Sequence, residues 1–308
     1  MSTPVLSVVI CTHNPHEDFL RRTLGGLSRQ TLRASQWEFV LVDNGSSPPV
    51  RLETALAGHA TARIVAEPEL GLTAARLRGI GEARAPLLVF VDDDNILAPD
   101  YLERALARAN AWPMLGVWGC GSYKPEWEQE PPREFDPYIA YLAVHRAPRD
   151  RWSNQPFDYA ATPTGAGLCV RSAIARRYVE QVGGDARRKL LGRTGTNLAG
   201  CEDFDLAFTA IDLGYGTGVF TDLAMTHLMP RTRVAERYLL QLVEGHAYSS
   251  VILHALRDSN LRAPHPNLAS HLREFRLRRA LDPIALKIHD ARRRGEALAW
   301  VRLGRPPQ

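Results

Sequence analysis

Leu87-Leu88-Val89-Phe90-Val91-Asp92-Asp93-Asp94-Asn95 is a run of five apolar residues that ends in three acids. A short, unbroken apolar run, valine- and aromatic-rich and preceded by Pro86, reads as a strand buried on both faces. The acids then fall at its carboxyl end, the edge where open α/β sheets bind their ligands. If the chain stays extended there, Asp92 and Asp94 point one way and Asp93 the other. Two carboxylates on one side repel unless positive charge stands between them. A divalent cation that itself carries phosphates suits that place. The plainer alternative is a solvated acidic turn before the next helix, which Pro99 would open.

Working outward, the first hundred residues alternate strand and helix. Apolar runs predict strands at 5–11, 37–42 and 62–66, with helices over 19–30 and 71–84 and a weaker one near 50–58. In the 71–84 helix, Ala74, Ala75 and Ile80 face inward by their spacing. The second strand closes on Asp43-Asn44-Gly45-Ser46-Ser47, a turn cluster that also begins with an acid. This alternation argues for a mainly parallel, doubly wound sheet. After the helix at 99–111 and a strand at 115–121, residues 123–158 show no period, as functional or mobile segments do. Gly165 to Val170 reads as a strand whose small residues admit a close neighbour, and 172–182 as a helix. The glycine-rich, basic stretch 183–200 has the composition of a lid. A helix over 201–213 carries Glu202, Asp203 and Asp205 in its first turn, where acids suit the helix dipole. Strands are expected at 215–220 and 223–228, and helices from 234 onward.

Composition narrows the function. The 308 residues are 45% hydrophobic and 23% charged, an ordinary soluble composition. The net charge of +4 carries no nucleic-acid signature. Four scattered cysteines without CxxC spacing suggest reduced thiols and no zinc site. No apolar stretch approaches the roughly 20 residues that span a bilayer, and the amino terminus does not read as a signal peptide. A cytoplasmic location follows as the expectation. No GxGxxG follows the first strand, and no GxxxxGK[ST] or GxSxG is present. What remains is acids at two strand ends, a late Glu202-Asp203 pair and His227. That set suits metal-assisted binding of a diphosphate with one carboxylate free as a base.

Ser7-Val8-Val9-Ile10-Cys11-Thr12-His13-Asn14-Pro15 and Val40-Leu41-Val42-Asp43-Asn44-Gly45-Ser46 resemble the opening motifs of the family 2 glycosyltransferases. Gly71-Leu72-Thr73-Ala74-Ala75-Arg76-Leu77-Arg78-Gly79 resembles their G-x-x-x-A-R-N-x-G segment, with Leu77 in place of the usual asparagine. Asp92-Asp93-Asp94 stands at their D-x-D, Glu202-Asp203 at their late E-D pair, and His227 at a metal-binding histidine of many members. The resemblance runs over about residues 5–230. It implies a GT-A-type α/β sandwich over 1–230, with a nucleotide-sugar-binding part (1–114) and an acceptor-binding, catalytic part (115–230). Residues 231–308 would be a helical extension.

The resemblance further implies an inverting transfer from a UDP-, GDP- or dTDP-type sugar to a glycan or lipid-linked acceptor, in polysaccharide or surface-glycan synthesis. Thr12, Asn14, Asp43, Arg76, Asp92 and Asp93 would bind the nucleotide. Asp92, Asp94 and His227 would hold Mg2+ or Mn2+. Asp203, beside Glu202, would be the general base. Arg231, Arg233 and the basic 184–200 stretch are added here as contacts for the diphosphate, since guanidinium forks match phosphate oxygens. The strongly basic stretch 272–294 is a solvated face or a peripheral contact with anionic lipid at the inner membrane face. The carboxyl-terminal helices could also support a homodimer. Alternatives are a nucleotidyltransferase on a similar sheet, or a non-catalytic binding or assembly subunit. Thr12-His13-Asn14-Pro15 stands where a nucleotidyltransferase carries its glycine-rich basic loop. The intact Asp92, Asp94 and Asp203 argue against decay to a non-catalytic subunit.

Overall fold

Alternate residues of the apolar runs pack on opposite faces of one sheet, as a strand's two-residue period requires. The computed structural model describes residues 3–51, 59–265 and 267–305. In order the elements are β1 (Leu6–Thr12), α1 (Glu17–Ser28), β2 (Trp37–Asp43), β3 (Ala62–Ala66), α2 (Leu72–Glu82), β4 (Leu87–Asp92), β5 (Asn95–Leu97), α3 (Tyr101–Ala111) and β6 (Leu115–Trp127). There follow β7 (Arg151–Ser153), β8 (Cys169–Arg171), α4 (Ser172–Gly184), α5 (Glu202–Asp212), β9 (Gly216–Met229), α6 (Glu236–Arg257), α7 (Leu268–Ala280) and α8 (Pro283–Arg302). Single-turn or 3-10 segments cover Arg133–Leu142, Ala186–Leu191 and Arg231–Val234.

The sheet runs β3-β2-β1-β4-β8-β6-β9-β5, with β7 on β9. The first four strands are parallel, as expected; β8 then pairs antiparallel with both β4 and β6. Val8 and Ile10 of β1 pack with α1 and α3 on one face, while Val9, Val40 and Phe90 pack with α2, α4 and α5 on the other. Each such aliphatic side chain taken fully from water contributes roughly 1.5–3 kcal/mol. Gly79 in α2 lets the helix lie on β1: a Cβ there would stand 2.4 Å from Val9.

Four expectations need correction or a limit. The two strands expected at 215–228 are one bent strand, β9, whose pairing with β6 shifts register between Cys120 and Ser122. Gly165 to Leu168 is a turn rather than a strand, with Gly167 at φ +70°, where a side chain would be strained. The acids do not continue an extended chain. β4 ends at Asp92, and the backbone turns at Asp93-Asp94 into β5, which pairs antiparallel with β9. The helix expected near 50–58 lies largely outside the described residues. Among the described residues no helix is long and apolar enough to cross a membrane.

Candidate active site

At the carboxyl ends of β1 and β4 the sheet reverses its winding, and a cleft of about 440 Å3 opens there. Two parts of the chain bring carboxylates to it from two sides, the turn after β4 (Asp92, Asp93, Asp94) and the first turn of α5 (Glu202, Asp203), and β9 supplies His227.

Asp94 is 5% exposed. Its Oδ2 accepts a hydrogen bond from Arg233 Nη2 at 2.6 Å and lies 3.6 Å from His227 Nε2. Arg233 Nη1 lies 2.9 Å from the same His227 nitrogen. A guanidinium therefore fills the space between Asp94 and His227. Burial alone would raise the Asp94 carboxyl; Arg233 and His227 beside it hold it well below the usual carboxylate range. Asp93 goes the other way. Burial and the neighbouring Asp94 charge push it up to about 7, and Thr12 Oγ1 donates to it. Among the described residues, no three His, Cys, Asp or Glu side chains are gathered closely enough to hold a metal ion.

On the opposite wall Asp203 is buried but held open to the cleft by two backbone donors, Gly165 N–H to Oδ2 at 2.7 Å and Phe204 N–H to Oδ1 at 2.8 Å. Burial, and after it the Glu202 charge, raises Asp203 to about 7. Arg76 reaches up from α2, only 5% exposed, and donates to Glu202 Oε1 at 2.9 Å. Its other nitrogen lies 3.8 Å from Asp92. Glu202 Oε2 is buried without a hydrogen-bond partner among the described residues. The glycine at 165 has a stated use: a Cβ there would stand 2.1 Å from the Arg76 guanidinium.

The structure thus gathers Thr12, Arg76, Asp92, Asp93, Asp94, Glu202, Asp203, His227 and Arg233 on one cleft. Asp43 and Asn14 stand off its wall and shape the adjoining loop. Asp43 accepts from Ser46 and Val50 N–H, and Asn14 Oδ1 accepts from Ser47 N–H. Arg231 does not line the cleft; its backbone N–H donates to Glu128 Oε2. Of the basic 184–200 stretch, Arg193 joins the cleft, while Arg188 pairs with Asp205 and Lys189 with Glu69.

The sequence reading missed a further wall. Tyr141, Ala143 and His145 come from the segment that showed no period, and Tyr238, Leu242 and His246 come from α6. His246 is pushed down to about 4 by burial and then by Arg193, so it is neutral near pH 7, and its ring meets Tyr141 edge-on. No local signal marks these residues, because they reach the site only through the packing of separate segments of the chain. The helical period of α6 was legible; which of its faces lines a cleft was not.

An acid-lined cleft at the switch point of a mixed, helix-flanked sheet is the ligand-binding place of open α/β proteins. A family model described as Glycosyl transferase family 2 matches residues 7–162, half of the chain. The chain belongs to that family. It is 37% identical over 121 residues to a validoxylamine A glucosyltransferase of Streptomyces hygroscopicus subsp. limoneus, covering 38% of this chain and 26% of that one. It is 27% identical over 160 residues to the O-antigen biosynthesis protein RfbC of Myxococcus xanthus, covering 46% of this chain and 12% of that one. The matched part thus spans about a quarter or less of these curated relatives. In fold, it resembles a mannosyltransferase, PcManGT, from Pyrobaculum calidifontis, solved in complex with GDP-Man and Mn2+. There the TM-score is 0.53 at 20% identity, over 98% of this chain and 76% of that one. That likeness agrees with the GT-A-type α/β sandwich expected from the motifs.

Proposed function

We propose that this protein is an inverting glycosyltransferase that moves a sugar from a nucleoside-diphosphate donor to an acceptor hydroxyl, in glycan synthesis. The observation that carries the reading is the placing across one cleft of a carboxylate poised near neutrality, Asp203, opposite an acidic cluster that already holds a cationic group, Arg233 on Asp94 and His227.

Asp203 takes the proton of the acceptor hydroxyl as its oxygen bonds to the anomeric carbon. The bond from that carbon to the diphosphate breaks on the opposite face. Arg233 and Arg193 face the departing oxygens and stabilise their charge with preorganised donors. Burial raises Glu202 as well as Asp203, but Glu202 is tied to Arg76, which leaves Asp203 as the acid of that wall that meets the acceptor. Thr12 and Asp93 shape the nucleotide side. Asp43, which accepts from Ser46 and Val50, is assigned to the edge of the base beside Asn14. Tyr141, Tyr238 and His246 line the acceptor end, so residues 231–308 complete the 1–230 domain rather than merely follow it.

Asp94 and His227 fit a divalent cation. They offer an oxygen and a nitrogen 3.6 Å apart, Mg2+ shared with phosphates needs only one or two protein ligands, and Arg233, which now bonds both atoms, would have to turn to the phosphates for a cation to take its place. Asp92, 43% exposed at its side chain, is free to join them or to hold the ribose. When bound, the cation neutralises charge on the leaving diphosphate.

The test is thermal unfolding with UDP, GDP, dTDP and CDP, each with and without Mn2+. One nucleotide at 100-fold its dissociation constant should stabilise the protein by about 2.7 kcal/mol, several degrees in a chain of this size, and only with Mn2+. No shift with any pair would leave the non-catalytic alternative standing. The pH profile is a second expected result. Because Asp203 is raised to about 7, it is protonated below that pH and becomes the base as pH rises. kcat/KM should fall tenfold per unit below an apparent midpoint near 7; a midpoint near 4 would remove Asp203 from the role.

A further inference from the structure

α7 is a helix that buries nothing of its own. None of its 13 residues is buried, and it is nonetheless closed at its start by a full capping box between Asn267 and Ser270. Isolated helices of that length are marginal in water, so its surroundings must hold it. On one side Glu274 meets His289 at 2.7 Å, and Arg278 pairs with Asp290, tying α7 to α8. A different side carries Leu268, Leu272 and Phe275, spaced i, i+4, i+7 and therefore in one file. They are 75%, 51% and 58% exposed. Arg279 lies over the Phe275 ring, and Arg273, Arg276 and Arg279 have no ion-pair partner among the described residues. From Leu272 to Arg294 the chain carries eight Lys or Arg against three Asp or Glu.

We propose that α7 is an in-plane docking helix for an anionic lipid bilayer. An exposed apolar file bordered by unpaired guanidiniums matches both layers of such a surface: the file enters the boundary between acyl chains and headgroups, and the arginines meet the phosphates. The charge selects this occupant over a second copy of the chain, which would bring the same unpaired arginines against one another. The consequence joins the cleft. α8, to which α7 is tied, also touches its wall, through Arg292 on the Tyr141 hydroxyl at 3.1 Å. Docking would therefore hold the acceptor end of the cleft near the membrane. That last step rests on the transferase reading; the docking itself does not.

The experiment is co-sedimentation of the full chain with vesicles of phosphatidylcholine alone and of phosphatidylcholine with 30% phosphatidylglycerol, at 100 and 500 mM NaCl. The wild type should pellet with the anionic vesicles at low salt and stay in solution with the neutral ones. The variants L272D/F275D and R273E/R276E/R279E should each lose at least tenfold in partition. Every substituted side chain is exposed, so circular dichroism and melting temperature should stay at wild-type values. The proposal is overturned if the wild type ignores anionic vesicles, or if either variant binds them as well as the wild type. It is equally overturned if light scattering shows a dimer that L272D/F275D dissociates, since the occupant of the file would then be a second copy.

Discussion

Asp203→Asn should lower kcat by about a thousandfold, within the 10²–10⁴ range of a positioned general base, and leave donor affinity within threefold of wild type. Asparagine keeps the shape of the side chain. Its one carbonyl oxygen can still accept from Phe204 or Gly165, which now hold the two oxygens at 2.8 and 2.7 Å. Its amide nitrogen has no lone pair to take a proton. The donor side of the cleft, built from Asp92, Asp94, His227 and Arg233, is untouched, so the nucleotide-induced shift in melting temperature should survive. That split between binding and turnover separates a base from a residue that only supports the fold. Transfer within tenfold of wild type, with the shift intact, would move the base elsewhere on the cleft. A lost shift would instead mean that the asparagine had disturbed the site as a whole.

The residues that carry this expectation differ in how far they could be read beforehand. β1 and β2 came within a residue of their true limits, because an apolar run reads directly when both faces of a strand are covered. The acids after β4 were legible as a group, since no buried strand continues through three carboxylates. Their geometry was not. Two-residue alternation put Asp92 and Asp94 on one side, whereas the turn at Asp93-Asp94 gives the three acids separate environments, with Asp94 on Arg233 and Asp93 on Thr12. Thr221-Asp222 looked like a turn between strands. Partners distant in sequence override that local signal: Asp150 takes the Thr221 N–H, and Arg104 and Arg108 take Asp222, so β9 continues through. Gly165 was read as room for a close neighbour, and that neighbour is Arg76. Which side chain would fill the room depends on how α2 lies on the sheet, and no local pattern encodes that.

Arg76→Met should be the most destabilising single change in the site. The guanidinium is buried and is the only cation that touches Glu202 among the described residues. Methionine matches much of its length and apolar stem, so the loss comes from charge rather than from a cavity. Without Arg76, Glu202 and Asp203 share a buried wall with only the more distant Arg193 as counter-charge, and Glu202 already has one oxygen without a partner among the described residues. Breaking a buried pair from one side costs about 3–5 kcal/mol, which for a chain of this size lowers the melting temperature by roughly 5–8 °C. The sign with pH follows from the carboxyls. Burial raises both Glu202 and Asp203, Asp203 to about 7, and Arg76 opposes the rise. Removing Arg76 raises them further, so the folded variant binds protons that the unfolded chain releases above its ordinary carboxylate range. Its deficit should therefore be largest above pH 7 and shrink as the pH falls towards 5. Urea unfolding at pH 8.0 and 5.5 measures both values. Arg76→Met combined with Glu202→Gln should recover part of the loss at pH 8.0, because the second change removes one of the charges left unpaired. A single variant within 1 kcal/mol of wild type at pH 8.0 would show that solvent, rather than Arg76, compensates these acids. The wall behind Asp203 would then be wetter than its burial implies.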